Sequence, residues 1–264
     1  MSATAPSMSN EDIRVRQADG IARITLPGAN RYNPLSGEVI DRLHALLDQV
    51  AEDTDVRVVI LDAEGKAFCA GHDLKEVRAS EDPAYHRDLF SRCSALMQRI
   101  VRLPQPVIAQ VQGIATAAGC QLVATCDLAV AGESARFATS GINLGLFCAT
   151  PAVAVTRNVA PKHAAHLLFT GEFIDARRAE AIGLVNQVVA DDELAQATQT
   201  LAETIAAKPA VSIRAGKELL QRQLECGLGD AYAMATETMA CNMEAEEARE
   251  GIDAFIEKRK PRWS

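Results

Sequence analysis

Two stretches of small residues carry the chemistry open to this sequence. One runs Lys66-Ala67-Phe68-Cys69-Ala70-Gly71-His72-Asp73-Leu74-Lys75, the other Gly113-Ile114-Ala115-Thr116-Ala117-Ala118-Gly119-Cys120-Gln121. Each puts small side chains where a buried strand should end and a helix begin. The N–H groups at a helix start have no internal partner and carry partial positive charge. They can take up an anion, or an oxyanion that develops during a reaction. Cys69-Ala70-Gly71 and Ala117-Ala118-Gly119 leave that backbone open to close approach. One such loop alone is usually just the tight packing of a strand-to-helix turn. Two of them, each after a buried strand, read as two halves of an oxyanion hole.

Other reactive residue types are scattered. Cys69 and His72 form a lone CxxH with no second ligand pair, so no zinc site is expected. His72 sits inside the first loop and is either a functional side chain or a spacer bonded to a neighbouring loop. His86 falls on the following helix, with a plain surface position as the alternative. Cys148 is placed near a helix start, where a thiolate would be favoured, but small buried cysteines are commoner. Ser140 and Asn143 can hydrogen-bond a ligand or cap a turn. The basic end Lys258-Arg259-Lys260-Pro261-Arg262 is a solvated terminus or a phosphate contact.

The elements that must position these residues follow from pattern. Ile13–Gln17 and Ile21–Leu26 alternate around Asp19-Gly20, a hairpin signal. Ser36 can cap a helix to about Asp53, with Val39, Ile40, Leu43, Leu46, Leu47 and Val50 on one stripe. Val56–Asp62 and Val107–Val111 read as buried strands, each leading into one of the small-residue loops. Helices are expected over Pro83–Leu103 and Ala117–Thr125, strands at Leu128–Ala131 and Arg136–Ala138, and strand-like breaks near Phe173–Asp175 and Asn186–Val189. Strand, strand, helix, loosely repeated, suits an α/β core over 12–208. From 209 to 264 the sequence is almost all helix-forming, with Leu219, Leu220 and Leu224 on one face and Met234, Met239 and Met243 beyond. That region is expected to pack on the core or on another subunit. Residues 1–11 read as a disordered tail.

Bulk properties narrow the function classes. The chain has 264 residues, and 48% of them are hydrophobic. A sizeable core can therefore form. A formal charge of −8 argues against nucleic-acid binding, and no apolar run is long enough to span a membrane. The N-terminus lacks the basic and apolar regions of a secretory signal. Seven cysteines without regular spacing suggest no disulfide framework, which points to a reducing, cytoplasmic setting.

The chain resembles the crotonase family, also called the enoyl-CoA hydratase/isomerase family, from about Asp12 to Arg262. Ala67-Phe68-Cys69-Ala70-Gly71-His72-Asp73-Leu74-Lys75-Glu76 is similar to the family's A-F-x-A-G-x-D-[LI]-x-E. Arg31, Asn33, Leu35 and Ser36 match R-x-N-x-L-S, and Pro106–Gly113, Gly119-Cys120, Cys126-Asp127-Leu128, Phe169-Thr170-Gly171, Gly183-Leu184-Val185 and Phe255–Arg259 also fit. The resemblance implies a ββα spiral core with a C-terminal helical trimerisation region, assembling as a homotrimer or a dimer of trimers. It implies an acyl-CoA thioester ligand, with coenzyme A as part of the substrate and no separate cofactor or metal. The hole donors it implies are the N–H groups of His72 and Ala118. Arg31, Ala70, Asp73, Leu74, Ser140 and Lys258 are the implied contacts to coenzyme A or the acyl chain, Lys258 by way of a neighbouring subunit.

Two departures separate the chain from hydratases of that family. Their first glutamate follows the Gly-Cys of the second turn, where this chain has Gln121. Their second belongs to a Q-P-E motif, replaced here by Thr139-Ser140-Gly141. Neither residue can act as a base near neutral pH. A positioned acid or base typically contributes ~10²–10⁴-fold, so hydration is expected to be very slow. The stretch 138–148 is most like the enoyl-CoA hydratase domain-containing protein 3 branch. Three readings stay open: thioester enolate chemistry in a non-standard hydratase/isomerase-type lyase, a quiet acyl-CoA-binding protein, and decarboxylation of a malonyl-type thioester. Gly71-His72-Asp73 resembles the decarboxylating members, although those carry a tyrosine near the position of Cys148.

Overall fold

The computed structural model describes residues 13–28 and 32–263. The expected tail at 1–11 and the candidate Arg31 lie outside the described residues.

The chain opens with the expected hairpin, β1 (Arg14–Ala18) and β2 (Ile21–Leu26), paired antiparallel. Asp19 and Gly20 both take positive φ, 52° and 75°. A tight two-residue hairpin turn requires this. In α1 (Gly37–Glu52) the Ser36 hydroxyl accepts the Val39 N–H at 3.2 Å. Such a cap satisfies one of the orphan donors at the helix start. Ile40, Leu43, Leu46, Leu47 and Val50 form the buried stripe of α1. The strands β3 (Val58–Ala63), β5 (Val107–Val111), β7 (Leu128–Gly132) and β10 (Gln187–Val189) add in parallel to give the order β1-β2-β3-β5-β7-β10. Val58, Val59, Ile60 and Leu61 of β3 are apolar without alternation because both faces of the strand are covered. Val59 and Leu61 join the main core, whereas Val58 and Ile60 join a second cluster built with Leu194 and Ala202.

A second sheet holds the shorter strands β4 (Ala67–Cys69), β6 (Ile114–Thr116), β8 (Arg136–Ala138) and β9 (Ile174–Asp175), in that order. The chain therefore repeats one unit. A long strand enters the first sheet, a short strand enters the second, and a helix follows. β3 and β4 lead to α2 (Leu74–Ala79) and α3 (Pro83–Arg102). β5 and β6 lead to α4 (Ala118–Thr125). β7 and β8 lead to a 3₁₀ turn (Ser140–Leu144) and α5 (Ala149–Asn158). This is the expected α/β spiral. It continues through α6 (Pro161–Thr170), α7 (Ala176–Ala181) and α8 (Leu194–Ala206).

The C-terminal helices are α9 (Ala210–Gln223), α10 (Leu228–Glu244) and α11 (Glu246–Ile256). Lys217 is the one buried side chain of α9, and α10 has none. Lys217 Nζ reaches Asp127 Oδ2 at 2.6 Å and the carbonyls of Gln105 and Ile100 at 2.9 and 3.0 Å. Burial raises the Asp127 pKa and lowers that of Lys217, and their mutual attraction opposes both shifts. The apolar side chains Leu220, Leu224, Leu228, Tyr232, Met239 and Met243 stay exposed on the protomer.

Candidate active site

Three neighbouring strands of the second sheet, β4, β6 and β8, run parallel, so their C-terminal ends lie at one edge. Out of that edge come Ala70–Asp73, Ala117–Gln121 and Thr139–Ser140. Crevices at the carboxyl ends of parallel strands are where α/β sheets bind ligands.

The first loop is fixed by residues that belong to the early motif. Asn33 Nδ2 donates to the carbonyls of Ala67 and Glu64 at 2.8 and 2.9 Å. Buried Leu35 lies alongside His72, donating to the Gly71 carbonyl at 2.8 Å and accepting from the Asp73 N–H at 3.3 Å. The Ala70 N–H donates to the Tyr32 carbonyl at 2.8 Å. The flanking amides are thus occupied, and the His72 N–H makes no hydrogen bond among the described residues. Asp73 caps α2, its carboxylate accepting the Lys75 and Glu76 N–H groups. Glu76, the last residue of the signature, turns away to the Gly37 N–H at 3.0 Å and the Tyr85 hydroxyl at 2.8 Å.

The second loop presses against the first. Ala117 holds φ at 50°. That conformation is rare for a residue with a side chain and costs roughly 1–3 kcal/mol. Its N–H donates to the Ala138 carbonyl at 3.0 Å, and its carbonyl accepts the Gln121 N–H at 3.0 Å. Ala118 opens α4, so its N–H has no partner within the helix. Glycine is required at two positions here. A Cβ on Gly119 would lie 2.0 Å from the Cys69 carbonyl oxygen. One on Gly71, whose φ is 90°, would lie 2.9 Å from Ala117 Cβ and 3.2 Å from Ala118 N. These contacts set the peptide of His72 beside that of Ala118.

The side chains around this seam are mostly neutral. The His72 ring packs edge-on against Phe90 at 5.1 Å, and its Nε2 is buried without a partner. Burial lowers its pKa, opposed by the nearby Glu76 charge, so the ring is neutral at physiological pH. His86 Nε2 lies 3.0 Å from the Val77 carbonyl and ties α3 to α2. Gln121 is buried on α4, and its Oε1 has no hydrogen-bond partner. Ser140 Oγ is 2.7 Å from Thr116 Oγ1, which also donates to the Ala138 carbonyl at 3.2 Å. A Cβ on Gly141 would lie 2.7 Å from the Leu146 carbonyl oxygen and 2.8 Å from Cys148 Sγ.

Several sequence-derived candidates take other roles. Cys148 does stand at the N-terminus of α5, but burial raises its pKa instead of lowering it. Burial likewise pushes Cys69 and Cys120 up to about 12. These thiols sit as the commoner small buried cysteines, and burial works against the thiolate that attack would need. Asn143 braces the 3₁₀ turn against the Gly171 carbonyl at 3.2 Å. Leu74 is exposed at the start of α2, and Lys258 is exposed at the far C-terminus, outside this cluster. Beside it, Arg259 is engaged by Glu250 at 2.6 and 2.8 Å and by Glu257 at 2.6 Å. Phe90 lies in no motif and Thr116 lies in the second small-residue stretch without a role assigned to it; the folded arrangement reveals them as partners of His72 and Ser140.

A family model described as enoyl-CoA hydratase/isomerase matches residues 16–264. The human enoyl-CoA hydratase domain-containing protein 3, mitochondrial, is 45% identical over 251 residues, covering 94% of this chain and 82% of that protein. Its solved structure superposes with a TM-score of 0.92 at 43% identity, over 95% of this chain and 99% of that one. A solved enoyl-CoA hydratase from Mycobacterium smegmatis gives a TM-score of 0.93 at 51% identity, over 95% of this chain and 98% of that one. The cytoplasmic expectation is corrected by these names: the human, rat, mouse, Xenopus laevis and Danio rerio relatives are all called mitochondrial. Free thiols report reducing conditions and do not say which compartment supplies them.

Proposed function

The chain belongs to the enoyl-CoA hydratase/isomerase family, and from that premise we propose that it binds an acyl-CoA thioester with the carbonyl oxygen between the N–H groups of His72 and Ala118. Proteins of this family bind acyl-CoA thioesters. The observation that carries the reading is the close approach of Gly71 to Ala117 and Ala118, which brings together two amides unpaired among the described residues. Fixed donors aimed at a developing enolate oxygen need no reorganisation during reaction, which is why such holes are effective. In this reading the backbone of Ala70, Asp73 and Leu74 contacts the coenzyme A moiety and Ser140 the acyl chain, with Lys258 reaching it from a neighbouring subunit. Coenzyme A enters as part of the ligand, and the reading needs no separate cofactor.

Proton transfer is the weak half of this site. Gln121 stands one turn beyond Ala118, and Gly141 offers no side chain at all. A carboxamide is no base at neutral pH. The site therefore suits charge stabilisation of an enolate, in a lyase- or isomerase-type reaction, better than acid–base hydration. The exposed apolar faces of α9 and α10 support assembly as a homotrimer or dimer of trimers.

The test is calorimetric binding of butyryl-CoA together with crotonyl-CoA hydration, measured beside a family member that has both carboxylates. Thioester binding is expected, with hydration roughly 10²-fold or more slower than in that member. Hydration within about tenfold of it would refute the assignment of the two losses. Failure to bind butyryl-CoA would refute the hole itself.

A further inference from the structure

The geometry points to Glu76 as a positioning residue for the hole, one that keeps the His72 N–H aimed while touching neither ligand nor reacting atoms. This rests on the acyl-CoA reading above and adds a residue to it. α2 has no buried side chain, so apolar packing does not fix where it lies. Yet it leaves directly from the His72 loop, and a shift of α2 carries that loop with it. Hydrogen bonds have to supply what packing does not. Leu35 secures the near end, its N–H donating to the Gly71 carbonyl at 2.8 Å and its carbonyl accepting the Asp73 N–H at 3.3 Å. Glu76 secures the far end. Its carboxylate accepts the Gly37 N–H at 3.0 and 3.3 Å and the Tyr85 hydroxyl at 2.8 Å. Residues 35–37 and 71–76 thus form a ring closed at both ends by hydrogen bonds, and His72 lies inside it.

The far clasp is built closely. Gly37 opens α1, so its N–H is an orphan donor at the positive end of that helix. A carboxylate there makes a charge-assisted bond, stronger than a neutral one. A Cβ on Gly37 would lie 3.0 Å from Glu76 Oε1 and 3.2 Å from both terminal nitrogens of Arg92. Arg92 grips the same helix start through the Gly37 carbonyl at 3.3 Å and Asp41 at 2.9 and 3.0 Å. Through Tyr85 the carboxylate also ties α2 to α3. With its oxygens committed to Gly37 and Tyr85, Glu76 is no substitute for the two missing glutamates. Hydrogen bonds weaken steeply as they lose alignment. A His72 loop hinged at Leu35 alone would therefore lose its aim at a carbonyl oxygen before the chain lost its fold.

The experiment is isotope-edited infrared spectroscopy of butyryl-CoA, labelled at its thioester carbonyl carbon and bound to the full chain. Hydrogen bonds to the oxygen lower the carbonyl stretching frequency, so the downshift reads the hole directly. Glu76→Ala is expected to lose more than about half of the downshift seen with the natural protein. Glu76→Gln should keep most of it, since a carboxamide can accept from Gly37 and donate to Tyr85. Ser36→Ala removes a hydrogen bond from the same helix start without opening the ring, and should leave the downshift intact. Free coenzyme A should bind every variant within about threefold of the natural protein. A full downshift in Glu76→Ala, the same loss in Ser36→Ala, no recovery in Glu76→Gln, or equal weakening for free coenzyme A would each overturn the inference. Those outcomes leave the hole standing. No butyryl-CoA binding, or no downshift with the natural protein, sinks the oxyanion-hole reading and this inference with it. If Glu76→Ala does not fold, Gly37→Ala decides, because its added methyl pushes the carboxylate off the clasp. Part of the downshift should then be lost, and a full downshift overturns the inference.

Discussion

Helices α4 and α10 are built from similar residue types and meet opposite fates. α4 has eight residues, all of them buried, and α10 has seventeen, none of them buried. The first is shaped entirely within one protomer. Its Gly119 and the Ala118 N–H are placed by Cys69, Gly71 and Ala138, all from the same chain. The second presents Leu228, Tyr232, Met239 and Met243 to solvent. Exposed apolar clusters of this kind mark association surfaces. The geometry of the candidate site thus belongs to the protomer, while α10 finds no burial within it.

The largest effect is expected on the buried side, from Gly119→Ala. Its methyl would strike a backbone carbonyl that no rotamer change can move. A loss of about 3 kcal/mol is expected from urea melts, together with loss of butyryl-CoA binding. A loss under about 1 kcal/mol would mean that the loops are not locked together as described. The exposed side is tested by changing Leu228, Tyr232 and Met239 together to serine. Light scattering should then show a smaller assembly with helix content retained, because each site costs the protomer no more than ~0.5 kcal/mol. An unchanged mass would remove α10 from the interface.

The smallest effect concerns pH. Burial lowers the His72 pKa below its ordinary 6.5, so the unfolded chain binds that proton more readily than the folded one. Stability is then full above 6.5 and falls as pH drops below it. In His72→Gln the decline of melting temperature through that window should be shallower. An identical slope would show that the ring is not penalised by its site.

What the sequence made legible was local. The hairpin at Asp19-Gly20, the Ser36 cap and the stripe of α1 depend on near neighbours and on periodicity, and each was found where expected. The long helices and the strands of the first sheet were readable for the same reason, but β4 and β6 of the second sheet lie inside stretches that read as loops. Contacts across long separations were not. Ser140 meets Thr116 across 24 positions and Lys217 meets Asp127 across 90, and no spacing rule connects either pair. The cysteines show a different limit. The helix-start position of Cys148 was legible, but the sign of its pKa shift depends on burial, which spacing does not report. Several motif residues also proved to be scaffolding. Asn33 Nδ2 and the carboxylates of Glu76 and Asp127 bond backbone N–H and C=O groups, the Tyr85 hydroxyl and Lys217.

The crowding around Gly141 reaches beyond the residue itself. Main chain and a thiol stand in the volume that any side chain there would enter. A carboxylate installed at that position by one substitution would meet a collision before it could take up a proton. Residues 146–148 have to retreat for it to fit, so position 141 and that segment can change only together.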